Sequence, residues 1–153
     1  MKARQGFTLI EILVVLGIIA IVFTISVPFF SRFASGARLK GGAREISSVL
    51  QAARSYATTR HRAYYVNFDL EKGEFWISYN DPKAGERIVE KIFSLPQAVD
   101  ITQTDFTDDR VEFKPTGGAV EGGSIWVADK RGNIRRIVVS KVTGSVRIEK
   151  ERR

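Results

Sequence analysis

The sequence predicts an α+β fold: one long N-terminal helix whose second half packs against an antiparallel β-sheet. Three observations predict it. Phe7 to Ser31 is almost wholly apolar, and from Ile12 to Phe30 it carries no charge. Helical spacing of apolar residues resumes between Ile46 and Ala57. From Ala63 onward apolar and polar residues alternate in short runs, separated by Gly, Pro and Asn turns.

Each element follows in order. Ile12 to Phe30, as helix, spans about 29 Å, the thickness of one bilayer core. Gly36, Gly41 and Gly42 then lower helix propensity by roughly 1 kcal/mol each relative to Ala. Ile46, Val49, Leu50, Ala53, Tyr56 and Ala57 fall on one face, with Arg44, Gln51, Arg54 and Thr58 mostly on others. The helix is therefore expected from about Phe7 to Arg60, with that stripe as core. Tyr64, Val66 and Phe68 alternate with polar neighbours, and Lys72-Gly73 turns into Phe75, Ile77 and Tyr79. Asp81-Pro82 and Gly85 mark a loop. Arg87 to Phe93 reads as a strand ended by Pro96, and Val99 to Thr104 as another. Val111 and Phe113, Ile125 to Val127, Ile134 to Ser140, and Val146 with Ile148 complete about seven strands.

Composition excludes several chemistries. The 153 residues include no cysteine, so disulfides, thiolate metal sites and cysteine nucleophiles are ruled out. The single histidine, His61, stands between Arg60 and Arg62 with no metal-binding neighbour. The serines form no nucleophile elbow, and the glycine pairs 117-118 and 122-123 lack a Walker lysine. Asp105, Asp108 and Asp109 could hold calcium, although their spacing does not match the EF-hand pattern. No cofactor is expected, and no catalytic residue is assigned. The chain does not read as an enzyme.

Charge is distributed in blocks. Arg32 to Arg62 holds seven basic residues and one acid, Glu45. Ala63 to Asp129 holds six basic and thirteen acidic residues, and Lys130 to Arg153 nine basic and two acidic. Such an order suits contact with a polyanion or with complementary patches on partner subunits.

Three readings of the N-terminus compete. A secretory signal would have a shorter apolar run and a small-residue cleavage site; Ala34-Ser35-Gly36 is a weak match. A plain membrane anchor fits the length but leaves Glu11 unexplained. A carboxylate in a membrane helix costs on the order of 3 kcal/mol near the centre and less near an end. Cleavage between Gly6 and Phe7 would account for it. Phe7 then supplies a free amine, Glu11 lies four residues on, and the helix dipole favours a carboxylate there. The Glu11 of one subunit can neutralise the terminal amine of another.

The run Gly6-Phe7-Thr8-Leu9-Ile10-Glu11, preceded by Lys2 and Arg4 and followed by an apolar helix, resembles the type III signal of type IV pilins and type II secretion pseudopilins. The resemblance implies cleavage after Gly6 by prepilin peptidase, N-methylation of Phe7, and a role for Glu11 in subunit recruitment. It implies that the helix between Gly17 and Pro28 loosens in the filament; Pro28 removes one backbone donor there. Three later stretches resemble the GspH/FimT family of minor pilins and pseudopilins. They are Leu50-Gln51-Ala52-Ala53-Arg54-Ser55-Tyr56-Ala57, Phe113-Lys114-Pro115-Thr116-Gly117, and Ile137 to Ser140 leading into Thr143-Gly144-Ser145-Val146-Arg147. The implied fold is pilin-like.

On that basis residues 1–6 are expected to be a leader, 7–31 the transmembrane and filament-core half of the helix, 32–62 its amphipathic half, and 63–153 a periplasmic β-rich head. Expected partners are prepilin peptidase, other pilin or pseudopilin subunits and the bacterial inner membrane, with secreted cargo or DNA as further candidates. The expected function is a minor subunit that primes or caps a type II secretion pseudopilus or a type IV pilus. The alternative is a DNA-binding minor pilin. Some FimT-type pilins bind DNA through a Gly-Arg-x-Arg turn; here Ser145 replaces the first arginine and Arg147 keeps the second. Arg135, Lys150, Arg152 and Arg153 are the other candidates for DNA or partner contact. Arg135 and Arg136 point to opposite sheet faces if both lie in one strand.

Overall fold

The computed structural model describes residues 8–88 and 92–151, except for side chains at 27–32. It is α+β, as expected, and divides into two units, Met1–Ser35 and Gly36–Arg153. One helix, α1 (Leu9–Arg60), contributes to both.

Within the first unit the helix presents apolar side chains all round. Leu9–Ser26 has a mean hydropathy of 2.8, and none of that window is buried. Thr24 and Ser26 donate their hydroxyls to the carbonyls of Ala20 and Val22, 2.8 Å each. Those back-bonds satisfy the two hydroxyls on the helix itself.

Within the second unit, α1 buries Leu39, Ala43, Ile46, Leu50, Ala53 and Ala57. These residues recur at helical spacing, so the apolar stripe predicted from Ile46 onward is core. Tyr56 of that stripe is only partly buried and packs at its margin. The strands among the described residues are β1 (Tyr64–Asp69), β2 (Glu74–Asp81), β3 (Gly85–Ile88), β4 (Phe93–Ser94), β5 (Val99–Thr104), β6 (Arg110–Phe113), β7 (Gly123–Asp129), β8 (Ile134–Val139) and β9 (Val146–Lys150).

Three corrections to the sequence reading follow. The strands form two sheets: one ordered β3-β2-β1-β6 with β4 also on β2, and one ordered β5-β7-β8-β9. Of the strand expected over Arg87 to Phe93, the described residues give the end of β3 and the start of β4, with Ile92 outside any strand and 89–91 outside the described residues. β2 has eight residues, long enough for its outer edge to hold both. Ser78 to Asp81 pair with β3, and Glu74 and Phe75 pair with β4. Gly85, expected in the loop, opens β3 opposite Asp81.

β1 alternates buried and half-buried residues along its length, the signature of a sheet with one covered face. Tyr64, Val66, Phe75, Ile77, Val111 and Phe113 supply that face from the first sheet; Ile125, Val127, Ile137 and Val139 supply it from the second. Phe68, Phe75 and Phe93 stack across three strands, with ring centroids 6.2 and 5.6 Å apart. The buried Asp129 is satisfied by its own hairpin. It accepts hydrogen bonds from the Arg131 and Asn133 amides and from Asn133 Nδ2 at 2.8 to 3.0 Å.

Asp69 closes the β1–β2 turn by accepting from the Lys72 and Glu71 amides, 2.9 and 3.1 Å. The Lys72 amide, foremost, holds its carboxyl below the usual carboxylate range. A depressed folded value means stability that is present above the unfolded value and lost as pH falls through the folded one. Thermal unfolding between about pH 5 and pH 2 should therefore show a shallower acid decline for Asp69→Asn than for the parent.

The three stretches that carry the later resemblance meet at one junction. Arg54 of α1 donates from Nε to the Gly117 carbonyl, 2.9 Å. Gly144, at φ +62, lies so close that a Cβ there would stand 2.2 Å from that same carbonyl oxygen. Helix, Pro115 turn and closing hairpin are thus tied at a point that only glycine fits.

Candidate functional site

The candidate assembly site is the first turn of α1. Thr8 precedes the helix, and its Oγ1 accepts a hydrogen bond from the Glu11 amide at 3.3 Å. The Thr8 carbonyl accepts from the Glu11 and Ile12 amides, 3.1 and 3.3 Å. Thr8-Leu9-Ile10-Glu11 therefore has the form of a capping box, Thr at the cap and Glu three residues on. The sequence analysis missed this role for Thr8, although the Thr-x-x-Glu spacing before an apolar run announces it. Glu11 stands in the first turn, where the helix dipole favours a carboxylate. It is exposed, between the exposed Ile10 and Ile12. Among the described residues it has no ion-pair partner.

The other predicted assembly residues are placed unevenly. Gly6 and Phe7 lie outside the described residues. Gly17 is helical, and a Cβ there would meet nothing within 4 Å, so no packing among the described residues demands glycine. Pro28 also lies within the helix.

Of the described basic C-terminal candidates, Arg135 and Lys150 are brought together and Arg147 is not. Arg135 pairs with Lys150 across β8 and β9, whereas Arg147 pairs with Val138. Arg135 shares parity with the buried Ile137 and Val139, so Arg135 and Lys150 take the core-side face at its margin. Arg147 takes the outer face. Arg136, also outward, is ion-paired to Glu149 at 2.5 Å, and this hydrogen bond raises its already high pKa. Beside it Trp126 donates from Nε1 to Glu151, 3.0 Å. Arg152 and Arg153 lie outside the described residues. At the hairpin, Ser145 is held locally: Thr143 Oγ1 lies 2.9 Å from its hydroxyl and accepts from its amide.

In the acidic segment 105–109, the Asp109 carboxylate is held locally. Thr104 donates to the Asp109 carboxylate, and Thr107 donates to Glu121. No group of three or more metal-ligating side chains is assembled among the described residues.

Residues 42–144 match the family model described as Type II transport protein GspH, a span that holds Arg54, Gly117 and Gly144. The chain belongs to the GspH family. Residues 1–27 match the prokaryotic N-terminal methylation motif, which covers the Thr8–Glu11 cap. A fimbrial protein of Pseudomonas aeruginosa is 26% identical over 156 residues, covering 92% of this chain and 89% of the relative. Two solved structures share the fold. The minor pseudopilin EpsH from the type 2 secretion system of Vibrio cholerae matches with TM-score 0.62 and 10% identity, over 74% of this chain and 97% of that one. The type IV minor pilin FimU of Pseudomonas aeruginosa matches with TM-score 0.61 and 19% identity, over 78% and 92%. This GspH-family chain thus shares its fold with a minor pseudopilin and a minor pilin, and the Arg54 junction belongs to the family's matched region.

Proposed function

We propose that this GspH-family chain is a minor pilin or pseudopilin, processed at its N-terminus and built into a filament that it primes or caps. Prepilin peptidase cuts after Gly6, and the new terminus at Phe7 is methylated. Residues 7–31 hold the subunit in the inner membrane until assembly, with the head of 63–153 in the periplasm. Glu11 then pairs with the Phe7 amine of a neighbouring subunit, and the apolar helices bundle into the filament core. Loosening of the helix between Gly17 and Pro28 adapts it to that core.

The observation that carries this reading is Glu11: an acid in the first turn of an exposed apolar helix, with no ion-pair partner among the described residues. A carboxylate in hydrocarbon costs on the order of 3 kcal/mol near mid-bilayer. Pairing it with a second costly charge removes both penalties and fixes the stagger between subunits. The arrangement of the basic residues favours assembly over DNA contact, because Arg147 faces away from Arg135 and Lys150.

Glu11→Ala and Glu11→Gln test the reading. Each should lower recovery of the chain in the sheared-filament fraction by about tenfold or more, as expected for the loss of at least about 1.4 kcal/mol. Membrane-bound precursor and head circular dichroism should be unchanged. Recovery at the parent level would sink the proposal.

A further inference from the structure

We propose that Arg60 and Arg62, held on a row of tyrosines where α1 ends, form a docking surface for a pair of carboxylates on a neighbouring filament subunit of a different kind. The inference deepens the filament reading and rests on it for the presence of that neighbour.

The patch is built inside the second unit. Tyr56 on α1, Tyr64 at the start of β1 and Tyr79 on β2 form a row, with ring centroids 5.7 and 5.5 Å apart. Arg60 lies over the first ring, its Cζ 5.0 Å from the centroid, and Arg62 over the last, at 4.8 Å. Arg60 also donates from Nη1 to the Tyr64 hydroxyl, 3.2 Å. His61, between them, takes φ 51. That is the left-handed conformation in which helices commonly stop, and glycine is the usual residue there. This chain keeps a side chain in that place. Arg60, His61 and Arg62 are all exposed.

A role within the chain accounts for only part of this. A cation in the last turn complements the helix dipole, and Arg60 fills that position. Arg62 lies beyond the helix. Neither guanidinium has an ion pair among the described residues. The acid two residues past Tyr79, Asp81, is engaged by Arg87 at 3.6 Å. Arg110 makes the contrast: it lies over Tyr65 on the outer sheet face, with Glu112 beside it on that face.

Two exposed guanidiniums so close in the fold repel each other, and the negative faces of the tyrosines offset that repulsion. The rings also hold the long side chains in place, so less rotamer freedom is lost on binding. Arg60 spends one donor on Tyr64; the rest of each N–H fork is left for a second molecule. A fork of that shape matches a carboxylate with two parallel hydrogen bonds.

The surroundings favour protein carboxylates over nucleic-acid phosphates. Single strands bind by stacking bases on open aromatic faces, whereas arginines cover the outer rings of this row. Two phosphate contacts give a log–log salt slope of only about −1.4 on single strands, a weak hold. A filament neighbour is already retained by helix packing, so two charge-assisted contacts suffice to select it and fix its register.

Photocrosslinking in the full-length chain tests this. With p-benzoylphenylalanine in place of His61, irradiated filaments should give an adduct with a second filament subunit, mapped to a peptide that carries a pair of Asp or Glu residues. Arg60→Gln with Arg62→Gln should cut that adduct about fivefold to tenfold, as two such contacts predict. Arg60→Lys with Arg62→Lys keeps the charge but not the fork, and its adduct should fall between. The decisive result is a charge swap. Arg60→Glu with Arg62→Glu should abolish the adduct, and changing the partner's mapped acids to Arg should restore it, which a purely structural role for the tyrosine row would not do. An adduct with nucleic acid, with another copy of this chain or with an acid-free peptide would overturn the proposal. So would an adduct that the Gln pair leaves unchanged or that the swap fails to restore. No adduct, in filaments that the chain still enters in a Glu11-dependent way, removes this contact alone. A chain absent from filaments altogether removes the filament reading and this contact with it.

Discussion

Gly144→Ala is expected to destabilise the head by roughly 3 kcal/mol. A left-handed conformation costs a residue with a Cβ about 1 to 2 kcal/mol. Gly144 holds φ +62, and its added methyl would stand 2.2 Å from the Gly117 carbonyl oxygen. Overpacking of that kind adds about 1 to 3 kcal/mol. The turn cannot retreat freely, because Arg54 Nε holds the same carbonyl at 2.9 Å. The Gly144 amide is also committed, to Ser140, at 2.8 Å. Gly73 provides the control. It too has positive φ, +64, but nothing lies within 4 Å of a Cβ there, so Gly73→Ala should cost only about 1 to 2 kcal/mol. Thermal unfolding followed by circular dichroism should place Gly144→Ala about 10 °C below the parent and Gly73→Ala much nearer to it.

Phe75→Ala should cost about 3 to 5 kcal/mol, the range for deleting a buried phenylalanine. Phe75 has no exposed surface and is the middle ring of the Phe68–Phe75–Phe93 stack. The ring links β1, β2 and β4, facing Phe68 and Phe93 directly across the sheet. Its loss leaves a cavity that two short neighbouring strands cannot collapse into without breaking register. Denaturant unfolding should show a lower midpoint with little change in slope. Phe75→Leu, which keeps most of the apolar volume, should recover more than half of the loss.

How much of this was legible in the sequence depends on whether the signal is local. The helix was readable because Ile46, Leu50, Ala53 and Ala57 repeat at its period, and Glu11 because it interrupts an apolar run. β1 and β2 were readable from strict alternation around Lys72-Gly73. The division into two sheets was not, because it depends on which distant edges pair. Nothing near Arg87 states that β2 is long enough to hold both β3 and β4. The C-terminal cations show the same limit. Arg147 and Lys150 are three residues apart, so they take opposite faces of any strand. Which face is the core follows only from the pairing of Ile148 with Ile137. The family motifs were visible as words, Arg54, Gly117 and Gly144 among them, but their shared carbonyl was not.

The central claim is that the chain becomes a processed filament subunit, and the intact mass of the chain isolated from native membranes tests it most directly. The account predicts a protein that begins at Phe7 and carries one added methyl group on its terminal amine. A mature, membrane-held chain that still begins at Met1, or is cut near Ala34 to Gly36, would contradict it.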